Sequence, residues 1–595
     1  MFLRSSTRKK NGKEHRYWSL VENKRCSGGK IVQRHVLYLG EINDQQQADW
    51  QKTIEIVAHG QTLARTVALF PEDRAVEVDG PHIVRVKLSE LQLRHPRQWG
   101  ACWLTCHLYE ELGLPEFWAQ RLPPNRKGTR WDLVLQTLCA YRLIDPGSEW
   151  RLHRQWFEHS AMGDLLGADF GQLAESHKLY DCHDLILEHK GALFDHLTQR
   201  WKDLFNAKFD VLLYDLTSTY FESEPPFPEE DKRKFGYSRD KRSDCVQVVI
   251  GLIVTPEGFP LAYEVMRGNT SDKKTLQDFL EKIEKQYGKA QRIWVMDRGI
   301  PTEKTLQQMR ASDPPVLYLV GTPRGRLSKL EDQLRQLPWE KAREGVEVKL
   351  LAQPNEVYVL AKSVYRMNTD RCIRRRQLKG LWKRLKGLTA MKLKRDKLLM
   401  KLGAARQQAP AAWRLVNIQL PKKNKKFGFA LRKDKLREVR RREGHYLLRS
   451  NMAQRAPAQL WEFYLQLVQV EQAFAHLKGD LAIRPIFHQK EDRIEAHIFV
   501  AFLAYCVHAS LGRRLKDLAP GLTVRSVLEK MAAMQMIDVH LPTTDGREVI
   551  LTRYTQPETE QKILLEKLKL TLPEQPPPKI TATQLESKKS CSADF

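Results

Sequence analysis

The chain has 595 residues, which is too long for one compact core and predicts roughly two to four domains. Apolar residues make up 42% of the sequence, so wholesale disorder is excluded. Lysine and arginine together number 99 against 72 aspartates and glutamates, which leaves a formal net charge of +27. Such a charge predicts a polyanionic partner, most often nucleic acid, because neutralised phosphates release their condensed counterions. The alternative is an evenly solvated basic surface.

Cysteines and apolar runs narrow the class of protein further. The nine cysteines show no repeated spacing, which indicates reduced thiols rather than a disulfide framework. The opening segment MFLRSSTRKKNGK has no apolar stretch of the kind that a secretory signal needs. The longest apolar run, residues 498–511, is too short to span a bilayer and predicts a buried helix. We therefore expect a soluble, cytoplasmic protein that associates with the nucleoid.

The first two segments of the chain differ in predicted secondary structure. Residues 1–90 contain short β-branched and aromatic runs around the turn at residues 27–29, so they predict a strand-rich N-terminal unit. Residues 91–206 are predicted to be helical, because residues 131–143 repeat apolar side chains at intervals of three and four. We interpret this helical region as DNA-binding.

From residue 207 the pattern is that of an α/β fold. Short apolar runs predict strands, and amphipathic stretches predict helices. The strands are expected at 209–216, 245–254, 259–266, 292–296 and 316–320, and the helices at 273–287 and 301–309. The order β-β-β-α-β-α-β is that of an RNase H-like core, of which residues 207–320 form the first part. In that topology metal-binding carboxylates lie at the ends of the first and fourth strands.

An insertion at 321–443 then interrupts the core. Within it, residues 361–410 hold 16 lysines and arginines but only two acidic residues. Leucines at 378, 381, 385 and 388 recur at helical spacing, so one face is apolar and the rest is positive. A solvated helix would balance its charges, so this basic helical stretch predicts contact with DNA or a second subunit. Arg374, Arg375 and Arg376 are its candidate DNA-binding residues.

The chain is expected to return to the core after the insertion. Residues 444–520 form the second part of the RNase H-like core and include a long helix at 461–478. Residues 521–572 are predicted to be a C-terminal helical region. The proline-rich tail at 573–595 is predicted to be disordered.

Three carboxylates carry the predicted chemistry. Asp215 ends the first core strand, Asp297 ends the fourth, and Glu471 lies beside the apolar stripe of the helix at 461–478. Three such carboxylates can hold two Mg²⁺ ions about 4 Å apart for an in-line phosphoryl displacement. Taken singly, each residue is more often a cap or a surface charge. Their conjunction on this topology, in a chain this basic, favours a metal site.

Other polar residues give weaker signals. The connection between the first two core strands holds a basic loop that is suited to gripping DNA. Its candidate contacts are Tyr237, Arg239, Lys241 and Arg242. His476, His488 and His497 show no ligand spacing, so we interpret them as hydrogen-bonded polar residues.

Five stretches resemble the DDE transposases of bacterial insertion sequences, and in particular the insertion-sequence-four superfamily. They are YDLTSTYFE (214–222), GYSRDKRSD (236–244), PEGFPLAYEVMRGNTSD (256–272), WVMDRG (294–299) and VEQAFAHLKGDLAIRPIFHQKEDRIEAHIFVAFLAY (470–505). The resemblance implies an RNase H-like domain with an insertion before the last acid, and a metal-binding triad of Asp215, Asp297 and Glu471. It also implies Mg²⁺ as the cofactor, for which Mn²⁺ can substitute, and a homodimer on double-stranded DNA, both element ends and target.

The superfamily carries a Tyr-x2-Arg-x3-Glu-x6-Lys signature around its last acid. Tyr464, Glu471 and Lys478 match it here, whereas Leu467 occupies the arginine position. The resemblance therefore implies DNA contacts by Tyr464 and Lys478, and one missing phosphate contact at Leu467.

These observations predict a transposase that cuts DNA at the ends of its element and joins those ends to target DNA. One alternative is an RNase H-like nuclease that hydrolyses nucleic acid without joining it. The other is a transposase-derived, non-catalytic DNA-binding protein. The three intact acids argue against this alternative, whereas Leu467 at the arginine position of the signature leaves it open.

Overall fold

The protein is described by a computed structural model that covers residues 2–10, 13–25, 31–42, 46, 50, 86–126, 128–222, 228–238, 242, 244–270, 292–297, 300–322, 330, 333–334, 336–391, 393–420, 427–544 and 546–582. The strands in chain order are β1 (Phe2–Lys10), β2 (Lys13–Arg25), β3 (Ile31–Gly40), β4 (Gln92–Gln98), β5 (Val211–Phe221), β6 (Val246–Val254), β7 (Pro260–Arg267), β8 (Ile293–Met296), β9 (Leu317–Gly321), β10 (Glu340–Arg343), β11 (Val346–Gln353), β12 (Glu356–Ser363), β13 (Val416–Gln419), β14 (Gly428–Leu431), β15 (His445–Ser450), β16 (Gln535–Pro542), β17 (Arg547–Tyr554) and β18 (Lys579–Ala582). The helices of eight or more residues are α1 (Gly100–Glu111), α2 (Leu114–Arg121), α3 (Trp131–Ile144), α4 (Ser176–Ile186), α5 (Lys190–Phe205), α6 (Glu303–Ala311), α7 (Val364–Ala390), α8 (Arg395–Gln408), α9 (Lys433–Arg441), α10 (Pro457–Leu465), α11 (Val468–Lys478), α12 (Glu491–Leu518), α13 (Val524–Met531) and α14 (Thr559–Leu568).

A nine-stranded mixed sheet forms the centre of the described fold, in the order β10-β11-β12-β15-β9-β8-β5-β6-β7. Strands β5, β6 and β7 pair antiparallel, whereas β8 runs parallel to both β5 and β9. Every residue of β6 is buried, as expected for a strand with both faces covered. The five predicted core strands are therefore confirmed to within a few residues. The predicted helix at 273–287 lies outside the described residues.

Residues assigned to the insertion also extend this sheet. Strand β12 pairs with β15, which in turn pairs with β9, so β10, β11 and β12 continue the core sheet at its edge. The helical remainder of the insertion builds a small core of its own. There Leu381, Leu385 and Leu388 of α7 pack with Leu398 and Leu402 of α8. The apolar side of the basic stretch is thus covered within the chain, and its positive side is the part that a partner could contact.

Helix α12 lies at the centre of the helical layer. It is long and apolar enough to cross a membrane by length and composition, but 89% of its most apolar window is buried inside the fold. Residues 498–511 fall within it, so the predicted buried helix is confirmed and extends further in both directions. A buried window of this kind is typical of a core helix.

The C-terminal region differs from its prediction as a helical unit and a disordered tail. Strands β16 and β17 lie inside residues 521–572, and β18 lies in the predicted tail. Together with β4 they form a four-stranded sheet in the order β18-β17-β16-β4, so the C-terminal strands pair with a strand that precedes the helical region. The buried guanidinium of Arg97 in β4 contacts Asp538 of β16 at 3.1 Å. The physical reason for the error is that these β-branched runs become strands through pairing with a remote partner.

Candidate active site

Two of the predicted acids come from neighbouring strands. Parallel pairing of β5 with β8 sets Tyr214 opposite Met296, so Asp215 and Asp297 follow at adjacent positions. Asp297 comes directly after β8, as predicted. Asp215 is not at the end of its strand, because β5 continues to Phe221 and sets Asp215 opposite Leu252 of β6. Strand β8 ends at Met296, whereas β5 continues beyond Asp215. The sheet is therefore open beside Asp215 because β8 ends there.

Glu471 approaches the same edge from α11, which packs on β5 and β6. Val470 and Phe474 are buried against the sheet, while the Glu471 side chain is solvent-accessible. Partial burial by the surrounding atoms raises the pKa of Glu471, and the negative charge of Asp297 raises it further. The two carboxylates therefore repel each other, as acids that share a cation site do when no cation is bound.

The three acids line one cleft of about 340 Å³. The other residues that line it are Gly321, Thr322, Arg366, His445, Tyr446, Leu447, Trp461, Tyr464, Leu465, Leu467, Val468 and Val470. Arg366 and His445 were missed by the sequence analysis. They come from α7 and β15, and no local pattern marks them, because the pairing of β15 with β12 and β9 brings both elements to the acids.

The predicted helix at 461–478 is broken into α10 and α11. Leu467 donates its backbone N–H to Tyr464 at 3.2 Å and the chain turns there, although neither glycine nor proline marks the break. Tyr464 therefore lies on the preceding helix, and its hydroxyl is 3.4 Å from Oδ1 of Asp297. Leu467 is buried and lines the cleft. Lys478 lies at the far end of α11, and it is absent from the described residues that line the cleft.

The basic residues proposed for DNA differ in their surroundings. Tyr237 is 87% exposed, and Arg242 lies 3.0 Å from Asp244 and 3.2 Å from Glu222. Arg239 and Lys241 lie outside the described residues. In α7, Arg374 is largely buried and paired with Glu443, whereas the residues at 375 and 376 are exposed. Two of the three arginines in this run thus remain open to a ligand.

Two family models match the chain. The model of the transposase DDE domain matches residues 206–507, just over half of the chain, and that of the N-terminal domain of IS1634 family transposases matches residues 3–66. No curated protein matches the chain. Among solved structures it resembles a piggyBac transposase synaptic complex with hairpin DNA, at 8% identity and a TM-score of 0.33, over 73% of this chain and 78% of that chain. Because that TM-score is low, this likeness supports no conclusion.

The DDE model spans the strands and helices that carry Asp215, Asp297 and Glu471. The second model covers part of the strand-rich N-terminal unit. The two matches agree in function and lie in the expected order along the chain. The chain belongs to the DDE transposases of bacterial insertion sequences.

Proposed function

We propose that Asp215, Asp297 and Glu471 hold the catalytic divalent ions of this transposase, with Mg²⁺ as the cofactor and Mn²⁺ as a substitute. Use of a divalent metal follows from the family. The single observation that carries the assignment is that one cleft contains all three carboxylates. Oxygen ligands of this type suit Mg²⁺, and a bound dication would relieve the repulsion between Glu471 and Asp297.

The strand pairing supports an RNase H-like core for this site. Three antiparallel strands, β7-β6-β5, are continued by two parallel ones, β8 and β9. This is the order expected for that topology, and Asp215 and Asp297 lie on its first and fourth strands. The proposed core comprises residues 207–320 and 444–520, separated by residues 321–443. The preceding units at 1–90 and 91–206 and the following ones at 521–572 and 573–595 lie outside it.

The surrounding side chains are suited to positioning DNA for the reaction. When bound, the metal ions would activate a water or a 3′-hydroxyl and stabilise the leaving oxygen in an in-line displacement. The Tyr464 hydroxyl is near enough to Asp297 to help to orient its carboxylate. Arg366 and His445 line the cleft and offer N–H donors to a phosphate. Leu467 offers none, so the contact that the superfamily's arginine would make to the phosphate is missing at this position.

We further propose that DNA lies along the basic insertion. The exposed residues Arg375 and Arg376 extend from α7, and the helix α9 adds a positive face that the sequence analysis missed. The exposed cations of α9 are Lys433, Lys435, Arg437, Arg440 and Arg441. Lys478 and the loop that contains Tyr237 and Arg242 are further candidate contacts, as is the helical region at 91–206. Two copies of the chain on paired ends would act at the nucleoid in the cytoplasm.

The basic insertion can be tested by salt dependence. Reversing the charge of Arg375 and Arg376 removes two phosphate contacts, so the slope of log affinity against log salt should become shallower by about two. Reversing Lys562, an exposed cation on α14 remote from the insertion in sequence, is the control. An unchanged slope in the double variant would assign these arginines to a solvated surface.

A strand-transfer assay separates joining from simple hydrolysis. The full chain is incubated with Mg²⁺, a labelled element end that bears a 3′-hydroxyl, and a target plasmid. We expect labelled joint products, and we expect Asp215→Asn to abolish them while Asp210→Asn, an exposed aspartate just before β5, preserves them. Cleavage without joining would favour the nuclease. Binding without cleavage by the unmutated chain would favour the non-catalytic alternative.

A further inference from the structure

A second polar cluster is buried far from the cleft acids in sequence. Its members are Glu149 from the helical turn Glu149–Arg151, His183 of α4, His488 from the loop before α12, and His497 of α12. Their ligand atoms all lie within 4.8 Å of one another, and none of the four residues is more than 6% exposed. The interpretation of His488 and His497 as hydrogen-bonded polar residues is confirmed, since His488 contacts Glu149 and His497 contacts the Ile483 carbonyl, each at 3.3 Å. The sequence did not show that the fold gathers both histidines around one carboxylate.

The distances within the cluster are longer than those of strong hydrogen bonds. Oε1 of Glu149 lies 3.3 Å from Nε2 of His488, and 3.5 Å from both Nε2 of His183 and Nδ1 of His497. Strong hydrogen bonds of this kind are about 2.7–2.9 Å long. Four ligands at about 2.0–2.1 Å from a tetrahedral zinc ion are separated from each other by about 3.3–3.4 Å. The three separations between the carboxylate oxygen and the imidazole nitrogens are close to the edges of such a tetrahedron.

The orientations of the imidazole rings also suit a bound metal ion. Nδ1 of His183 is 2.8 Å from the Leu179 carbonyl and must donate to it, so a neutral ring presents the lone pair of Nε2 to Glu149. That Nε2 has no hydrogen-bond partner. Nε2 of His497 likewise faces the Ile483 carbonyl at 3.3 Å, which leaves the lone pair on Nδ1. Lone pairs of two rings then face a carboxylate oxygen, and the lone pair of His497 also faces Nη2 of Arg142 at 3.4 Å.

We propose that Glu149, His183, His488 and His497 form a structural zinc site. Imidazole and carboxylate ligands suit zinc, and four protein ligands in a buried place make a closed site without a position for substrate. The carbonyls of Leu179 and Ile483 orient two of the rings, as outer partners of metal-bound histidines do. The ion would join the helical region before the core to the loop that follows α11, the helix of Glu471.

Arg142 defines the competing arrangement. Its Nη2 is 3.8 Å from Oε1 of Glu149 and 3.4 Å from Nδ1 of His497, and its Nη1 donates to the Ala482 carbonyl at 3.3 Å. The guanidinium thus approaches the carboxylate from one side without a direct hydrogen bond to it. In a metal-free cluster Arg142 alone would neutralise Glu149. In a zinc-bound cluster it would lie outside the ligands, against the carboxylate.

Metal content distinguishes the two arrangements. The full chain, produced with an affinity tag that lacks histidine and with zinc in the medium, should carry about one zinc per chain by elemental analysis. Asp297→Asn should carry the same amount, so that failure of the catalytic assignment and failure of this one are separable. His488→Ala should lose the zinc. His196→Ala, a half-buried histidine of α5 bonded to the Leu112 carbonyl, is the matched control and should keep it.

Unfolding of the unmutated chain covers the case in which His488→Ala fails to fold. Removing zinc with a chelator should lower the unfolding temperature by several degrees, and adding zinc, but not Mg²⁺, should restore it. A folded chain with less than about a tenth of a zinc per molecule, whose unfolding temperature zinc does not move, would overturn the proposal. Neutralisation of Glu149 would then belong to Arg142 alone. Retention of zinc by a folded His488→Ala would overturn it equally.

Discussion

The cleft acids and the buried histidine cluster place polar, ligand-type side chains in opposite settings, one open to solvent and one buried. In the cleft, Asp297 and Glu471 remain open to solvent and repel each other, which leaves room for ions and a phosphate. In the cluster, Glu149 is buried and surrounded by rings and by Arg142. Open carboxylates that repel each other lower the stability of the fold but leave positions for ligands of a reaction. A closed site instead links segments of the chain. Substitutions should therefore affect activity in the first and folding in the second.

The largest effect is expected from the cleft. Asp215→Asn, Asp297→Asn and Glu471→Gln should each lower cleavage by a factor of about a thousand or more, because charge stabilisation at both oxygens depends on the ions. Each should leave the unfolding temperature nearly unchanged, since these side chains contribute little to the core. Cleavage of a labelled element end and a thermal melt give the two readouts. Activity close to wild type in any one variant would exclude that residue from the triad.

The reverse is expected in the cluster. Glu149→Ala leaves the buried Arg142 without its carboxylate, which should cost about 3–5 kcal/mol of folding free energy. Thermal and denaturant unfolding measure that loss. Glu158→Ala, an exposed glutamate nearby in the sequence, is the control and should unfold like the wild type. If both variants unfold alike, the cluster is not a link between segments and the contrast with the cleft fails.

A smaller change should follow from adding a cation to the cleft. Leu467→Arg places a guanidinium where the superfamily has one, so binding of element ends should strengthen severalfold. Because Leu467 is buried, stability should fall by about 1–3 kcal/mol. Leu467→Met, which keeps the side chain apolar, separates the effect of charge from that of packing. Weaker end binding by Leu467→Arg would mean that Arg366 and His445 already occupy the phosphate position.

The smallest effect is expected in the pH dependence of the stability of the metal-free protein. The folded-state pKa of Glu471 is raised above its ordinary 4.5 by burial and by Asp297, so its contribution to stability is present below pH 4.5 and is lost as pH rises through the folded-state pKa. Glu471→Gln should therefore be more stable than wild type near pH 7, by less than about 1 kcal/mol because the group is partly solvated. That difference should vanish near pH 4 and also shrink when Mg²⁺ is added. A difference independent of both would place its origin in packing.

Much of the catalytic core could be predicted from local patterns. Runs such as CVQVVIGLIV are long enough and apolar enough to become strands in almost any context. An acid that directly follows a run of this kind is positioned by the end of a strand. Asp297 follows such a run directly. The long apolar stretch of α12 similarly indicated a buried helix before any contact was known.

Contacts between remote segments decided the rest. The break before Val468 has no glycine or proline, so the position of Tyr464 beside Asp297 follows from packing alone. Strands β16 and β17 depend on pairing with one another and with β4. Arg366 and His445 reach the cleft because β12 and β15 extend the core sheet. Each of these features depends on partners that are distant in the chain.

The sequence by itself determined the charge, the core strands and the three candidate acids of this transposase, because each depends on residues that are close together in the chain. Tertiary structure decided which acids share a cleft, which leucines of the basic helical stretch are covered, and which histidines lie together. Glu149 and His497 show the reason most directly. Neither has a ligand spacing around it, and they meet only after the fold has brought the turn Glu149–Arg151 and the helix α12 together.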